Sequence, residues 1–212
     1  MIRDLRFFPK ERNHKIFKGI AQMLVDRNLI TDNDKEHAIQ MLDTSFDTVT
    51  QVACYDVQGK PGTQGLQFKV KFVSDKVSTI NKITGLLSFI ETNQDILNFI
   101  IINDIYLKPF KEIMDYPKTE IFWVKEFFQN PIQHVFTPKI RPLDSEEKQR
   151  ILEEYDLKLR DLPKMEKTDF EARYFNLKLG DIVEIIRPSI ASGEAVFYRL
   201  VVNSSWDKLF AK

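Results

Sequence analysis

Apolar side chains first recur at three- and four-residue spacing, at Ile16, Phe17, Ile20, Met23 and Leu24. That period predicts a helix over about 13–26, with Asn13 as its cap. A second helix is predicted after Thr31, with Asp34 placed to cap it and Ala38, Ile39 and Leu42 on one face. The period then falls to two. Residues 49–55 and 66–73 read as strands, the second with Leu66, Phe68, Val70 and Phe72 alternating with polar neighbours. Between them, 58–65 is rich in Gly, Pro and Gln, which is turn chemistry. A helix over 76–91 would turn Ile80, Ile83, Leu87 and Ile90 inward. The unbroken apolar run at 99–102 predicts that the strand 96–102 is buried on both faces. A short helix at 108–114 and a strand at 120–127 complete this half. Strands alternating with helices imply a three-layer α/β unit.

The pattern changes at 136–142, where Pro138 and Pro142 exclude a helix. Beyond it, Asp144 and Glu147 stand three apart, as in a capping box, and predict a helix to about Tyr155. A short helix over 169–175 follows. Asn176 suits the left-handed conformation that stops it, and Gly180 turns the chain into a strand. In that strand Ile182, Glu184 and Ile186 face one way, and Val183, Ile185 and Arg187 the other. The strand is expected to end at Arg187-Pro188, because proline cannot donate to a ladder. A return strand over 195–202 makes the hairpin.

Composition narrows the function. The 212 residues include 31 basic and 31 acidic side chains, so formal net charge is zero. A protein that lives by binding nucleic acid usually has a basic excess; here any DNA contact is expected to be local. Residues 1–141 hold 19 basic and 17 acidic side chains, against 10 and 13 in 142–203. The C-terminal part is therefore no phosphate-binding module. The basic cluster lies near the start: Arg3, Arg6, Lys10, Arg12, Lys15 and Lys18. No segment approaches the roughly 18 apolar residues of a membrane span, and the charged N-terminus predicts no signal peptide. The single Cys54 excludes an internal disulfide and a cysteine-rich zinc site.

Candidate chemistry is sparse. His14, His37 and His134 lack partner spacing and read as surface or satisfied histidines. Cys54, inside a predicted strand, reads as a small core residue rather than a nucleophile. There is no Gly-rich phosphate loop and no nucleophile elbow. Asp56 followed by Gln67-Phe68-Lys69 resembles a nuclease arrangement of carboxylate, second acceptor and lysine around Mg²⁺. Its middle ligand is a neutral Gln, a weak ligand for magnesium, and Lys69 alternates with Lys71 on what reads as the solvent face. No cofactor, metal or small-molecule substrate is expected.

The segment 169–202 carries the most specific signal. It matches a family pattern without a gap at Asp169, Ala172, Arg173, Tyr174, Phe175, Gly180, Val183, Ile185, Arg187, Pro188, Ser189, Gly193, Tyr198 and Arg199. This resembles the C-terminal domain of the fifth subunit shared by eukaryotic nuclear RNA polymerases, and the archaeal counterpart of that subunit. Phe170, Asn176, Ile190-Ala191 and Lys139-Ile140 depart from the pattern, which affects individual contacts rather than the fold. Residues 1–137 resemble the eukaryotic version more loosely, in the order of helices and strands.

The resemblance implies an α/β chain in three parts. Residues 1–137 would be a three-layer, restriction-endonuclease-like jaw near downstream DNA, which would make Asp56, Gln67 and Lys69 vestigial. Residues 138–203 would be a small α+β assembly domain docked on the largest polymerase subunit among other subunits. Residues 204–212 would be a tail, with Trp206, Leu209 and Phe210 forming an extra patch. The implied function is that of a non-catalytic polymerase subunit; the alternative is a degenerate or active restriction-like nuclease. Partner contacts fall to Arg173, Tyr174, Arg187, Pro188, Ser189, Tyr198 and Arg199, because Arg and Tyr dominate interfaces; Tyr174 and Tyr198 read equally well as filling the domain's own core. Contact with the backbone of double-stranded DNA falls to Lys10, Arg12, Lys15 and Lys18; the alternative, which the neutral chain favours, is a solvated helix face. The expected location is the nucleus if the chain is cell-encoded, or a viral factory or virion if virus-encoded.

Overall fold

A computed structural model describes residues 9–56, 66–82, 85–129, 132, 137–189 and 193–203. The predicted turn at 58–65, Arg3, Arg6, Ile83, His134, Ile190-Ala191 and the tail lie outside the described residues. The chain divides into two compact units, Met1–Gln129 and Asn130–Lys212. Among the described residues no helix is long and apolar enough to cross a membrane.

The first unit opens with α1 (Pro9–Asp26) and α2 (Asp32–Ser45). Helix α1 starts four residues before Asn13, which is therefore no cap. Asn13 lies on the buried face beside Ile16, Phe17 and Ile20. Proline suits the first position of a helix, where an N–H would have no partner, and the Lys and Arg that follow are good helix formers. Thr31, not Asp34, takes the cap position of α2, and its hydroxyl donates to Asp34 Oδ2 at 2.7 Å.

The four strands are β1 (Val52–Asp56), β2 (Gln67–Val73), β3 (Leu97–Ile102) and β4 (Thr119–Trp123), in that spatial order. β1 runs antiparallel to β2, while β2, β3 and β4 are parallel. Strand β1 begins later than its apolar pattern suggests. Asp47 accepts the N–H groups of Val49 (2.9 Å) and Thr50 (3.2 Å), and Gln51 adopts φ 55°, so this stretch turns instead. The helices are α3 (Leu86–Thr92), α4 (Leu107–Met114) and α5 (Val124–Gln129). The helix expected over 76–91 is thus reduced to a 3₁₀ turn, Ile80–Lys82, and α3. Gly85 at φ 84° separates them. The strand expected to reach Phe127 stops at Trp123, whose N–H donates to Glu126 Oε2 as α5 begins.

Register shows which helices cover which face. Phe68, Val70, Phe72, Phe99, Ile101 and Phe122 share one face. Phe17 of α1 lies edge-on to Phe72 at 5.6 Å, and Phe127 of α5 is 5.4 Å from Phe122. Ile100, Ile102 and Ile121 share the other face and pack with Leu86, Ile90, Phe110 and Ile113 of α3 and α4. This makes the unit three-layered.

The second unit is a four-stranded sheet of order β5-β7-β8-β6. Its strands are β5 (Lys139–Pro142), β6 (Lys164–Glu166), β7 (Ile182–Ser189) and β8 (Gly193–Val202). The short strands β5 and β6 have no periodic signature in the sequence. Helix α6 (Ser145–Glu154) carries the expected capping box: Asp144 accepts the Glu147 N–H at 2.8 Å, and Glu147 accepts that of Asp144 at 3.1 Å. Ile151 of α6, Leu143 and Leu162 pack against Ile182. On the opposite face, Ala172 of α7 (Phe170–Tyr174) and Leu177 pack against Val183, Ile185, Val201 and Met165.

Strand β7 continues through Pro188 to Ser189, pairing Pro188 with Glu194 and Ser189 with Gly193. Alternation of the ladder explains why. Leu143 N–H donates to Ile182 O on the β5 side, so Ile182, Glu184, Ile186 and Pro188 all turn their peptide groups that way. β5 ends at Lys139, opposite Ile186. The missing N–H of Pro188 therefore faces a side with no ladder to break.

Candidate partner-binding surfaces

The C-terminal motif residues separate into an interior set and an exterior set. Asn176 takes φ 51° just past Phe175, the C-cap of α7, and Gly180 takes φ 86° before β7, as their residue types suggest. Within α7, Arg173 and Tyr174 are turned inward. Tyr174 is 1% exposed, with the rings of Phe170 and Phe175 at 5.6 and 5.2 Å. Arg173 is buried too, its Nε donating to Thr168 O at 3.0 Å. Both consolidate the unit from within.

Arg187, Pro188 and Arg199 are exposed, while Ser189 and Tyr198 are half-buried. The guanidinium carbon of Arg187 lies 3.9 Å from the Phe197 ring centroid, a cation–π contact on an open sheet face. Val196 and Phe197 are 49% and 40% exposed. Sequence reasoning did not single these two out; the signal was the uninterrupted Val196-Phe197-Tyr198 in a strand otherwise expected to alternate. Tyr198 lies 6.2 Å from Tyr155 across the other face. Burial first, and then the nearby Glu184 carboxylate, raise its hydroxyl above the ordinary range. Burial also raises Asp169, with the Glu166 N–H and the Arg199 charge acting against it.

In the first unit, Asp56 and Gln67 are opposite one another, and Gln67 Nε2 donates to Asp56 Oδ1 at 2.9 Å. Lys69 pairs with Cys54 in register, but its Nζ turns to Asn93 Oδ1 at 2.7 Å. Asn93, at the end of α3, is itself buried and donates to Phe89 O at 2.6 Å. The lysine face is thus covered rather than solvent-facing. Lys71 is half-buried, reaches Thr50 O at 2.6 Å and lies over Phe89. Burial holds its amine below the ordinary range. Cys54 is half-buried and not a core residue; its backbone N–H and C=O both bond the Ser45 hydroxyl, at 2.9 and 2.8 Å. Among the described residues no three His, Cys, Asp or Glu side chains converge as a metal site would require.

Of the basic cluster, Lys10, Lys15 and Lys18 are exposed along α1 and Arg12 is half-buried. Lys15 Nζ sits 5.0 Å from the Phe128 ring centroid. His14 is exposed and its Nδ1 is 2.5 Å from Asp43 Oδ2 of α2; His37 is exposed. An ion pair not anticipated from sequence fixes the far end of α1. Just beyond it, Arg27 donates to both oxygens of Glu120 in β4, at 2.9 and 2.7 Å, with both side chains largely buried.

The second unit is thus a small mixed sheet with buried motif residues and an exposed, arginine-flanked apolar stretch of β8. Residues 129–201 match the family described as RNA polymerase Rpb5, C-terminal domain. A DNA-directed RNA polymerase subunit Rpo5 of Methanothrix thermoacetophila is 40% identical over 70 residues, which are 33% of this chain and 90% of that relative. DNA-directed RNA polymerase subunit 5 of Acanthamoeba polyphaga mimivirus is 30% identical over 135 residues, 64% of this chain and 65% of that protein. The chain thus spans just under two thirds of the mimivirus relative. In Dictyostelium discoideum, the subunit rpabc1 of RNA polymerases I, II and III is 28% identical over 200 residues, 89% of this chain and 96% of that one. The chain belongs to the Rpb5 family of RNA polymerase subunits, which includes a viral version.

Proposed function

We propose that this chain is a structural, non-catalytic subunit of a multisubunit DNA-directed RNA polymerase. In this reading 138–203 dock on the largest polymerase subunit, and 1–137 form a restriction-endonuclease-like jaw beside downstream DNA. The observation that carries it is the family match over 129–201. It is supported by the exposed Arg187, Pro188, Phe197 and Arg199 on one hairpin, the residue types that anchor interfaces. Arg173 and Tyr174, being buried, act by holding the hairpin's shape. The working compartment is the nucleus for a cell-encoded chain and the viral factory or virion for a virus-encoded one.

Affinity purification of the tagged chain from its source, with mass spectrometry of what co-purifies, tests the assignment. Large polymerase chains are expected; recovery of none of them would sink it. Arg187→Glu should lower incorporation about tenfold while the isolated chain keeps its circular dichroism spectrum. The nuclease alternative gains little from Lys69 bound to Asn93 and Asp56 held by Gln67. Duplex DNA with Mg²⁺ should show no cleavage by the purified chain that Lys69→Ala removes.

A further inference from the structure

Among the described residues, strand β8 is paired on both sides only at its C-terminal end. Leu200 N–H donates to Pro163 O at 2.8 Å, so its peptide groups point away from β7. Val201 N–H donates the opposite way, to Asp181 O at 2.8 Å. Alternation along the strand turns the backbone groups of Val196 and Tyr198 to the same outer side as Leu200. β6 pairs only with Leu200, Val201 and Val202. The next rung of that parallel ladder would run from the N–H of residue 163 to the Tyr198 carbonyl. Residue 163 is proline and has no N–H to give. The ladder stops there, and among the described residues no strand pairs with Val196 or Tyr198 on the outer side.

The stretch left open is not protected as edges commonly are, by lysines, an internal proline or a bulge. It carries Val196 and Phe197, both substantially exposed, between two exposed arginines. Arg187 reaches across from β7 to lie on the Phe197 ring. Register puts Arg187, Phe197 and Arg199 on one face, and Val196 and Tyr198 on the other. Open backbone donors and acceptors, apolar side chains on both faces and positive charge on one describe a template for an added strand.

We propose that the outer edge of β8, from Val196 to Arg199, accepts an extended segment of a protein partner as a fifth strand of the sheet. This rests on the polymerase-subunit reading: the segment belongs to the polymerase chain on which the unit docks. Complementarity sets its chemistry, with apolar residues beside Val196 and Phe197 and a carboxylate on the face shared by Arg187 and Arg199.

Hydrogen–deuterium exchange of the full chain, free and within the purified polymerase, tests this. The Val196 and Tyr198 amides should exchange at least about tenfold more slowly in the complex than in the free chain. Val196→Pro removes an outward donor without touching the β7 ladder, and should lower incorporation about tenfold. If that variant loses its folded spectrum, Arg199→Glu takes its place with the same expectation. Polymerase recovered with unchanged exchange at Val196 and Tyr198 would overturn the edge and leave the subunit assignment standing. Recovery of no polymerase chain would overturn the assignment itself, and this partner with it. Slowed exchange in the free chain that grows with its concentration would make a second copy the occupant and overturn the proposal.

Discussion

Arg27 and Glu120 lie 93 positions apart in the chain and meet as a two-pronged, largely buried pair. Removing one partner leaves the other charge buried and uncompensated, which typically costs about 3–5 kcal/mol. Arg27→Ala should therefore lower the urea-unfolding free energy of the chain by about 3 kcal/mol. Glu147 makes a pH prediction. The Arg141 guanidinium, and then the Asp144 N–H, hold its carboxyl below the ordinary value of 4.5. A carboxyl lowered on folding contributes stability that is complete above its unfolded value and is lost as pH falls through the folded one. Asp181 acts in the same sense: burial raises it, but Lys148 and the Lys178 N–H together prevail. Glu147→Gln should flatten part of the acid-side decline in melting temperature, seen in thermal melts from about pH 6 down to pH 3. Arg27 and Glu120 were not legible as a pair, because a charged partner distant in sequence leaves no periodic trace. The αL positions Asn176 and Gly180 were legible, because backbone tolerance is a property of the residue type itself.

Elements fixed by a local signal were read well, and those whose apolar period is shared between separate segments were not. α6 starts where Asp144 and Glu147 require, because a capping box is local. The expected helix over 76–91 failed. Its apolar spacing is real, and Ile80 and Ile90 are buried in one cluster. Two separate segments reach that cluster, and Val77 instead bridges in parallel to Ile105. Periodicity reports which side chains are inward, not whether one helix delivers them. Packing between helices gives a further test. A Cβ on Gly19 of α1 would come within 2.5 Å of Phe127 Cδ1 in α5. Overpacking costs about 1–3 kcal/mol, and alanine returns about 1 kcal/mol of helix propensity. Gly19→Ala should therefore destabilise by about 1 kcal/mol net in chemical denaturation; a gain in stability would show that Phe127 moves aside freely.

At the scale of the whole molecule, charge and surface divide the proposed work between the two units. Residues 142–203 hold 10 basic and 13 acidic side chains, and the distinguishing surface of the second unit is the hairpin of β7 and β8. The DNA contact proposed for the jaw would fall to α1, where Lys10 and Lys18 are exposed. Lys10→Glu with Lys18→Glu should weaken the polymerase's hold on downstream duplex and reduce the salt dependence of that binding by about two phosphate contacts. Salt titration of the assembled enzyme measures this; an unchanged slope would remove α1 from the contact.

The sequence by itself determined the family, the α/β layering of the first unit and the ends of α6 and α7. These follow from local residue types and short-range spacing. The inward positions of the long helices and strands follow from the same information. Tertiary structure alone decided that Arg173 and Tyr174 are interior while Arg187 and Arg199 are exterior, since one motif holds both pairs without distinction. It also decided that β7 runs through Pro188, because only the length of β5 shows which side the missing N–H faces. The open edge of β8 is of the same kind. It exists because Pro163 stops β6, and strand pairing between distant segments is settled by register, which no single stretch of sequence contains.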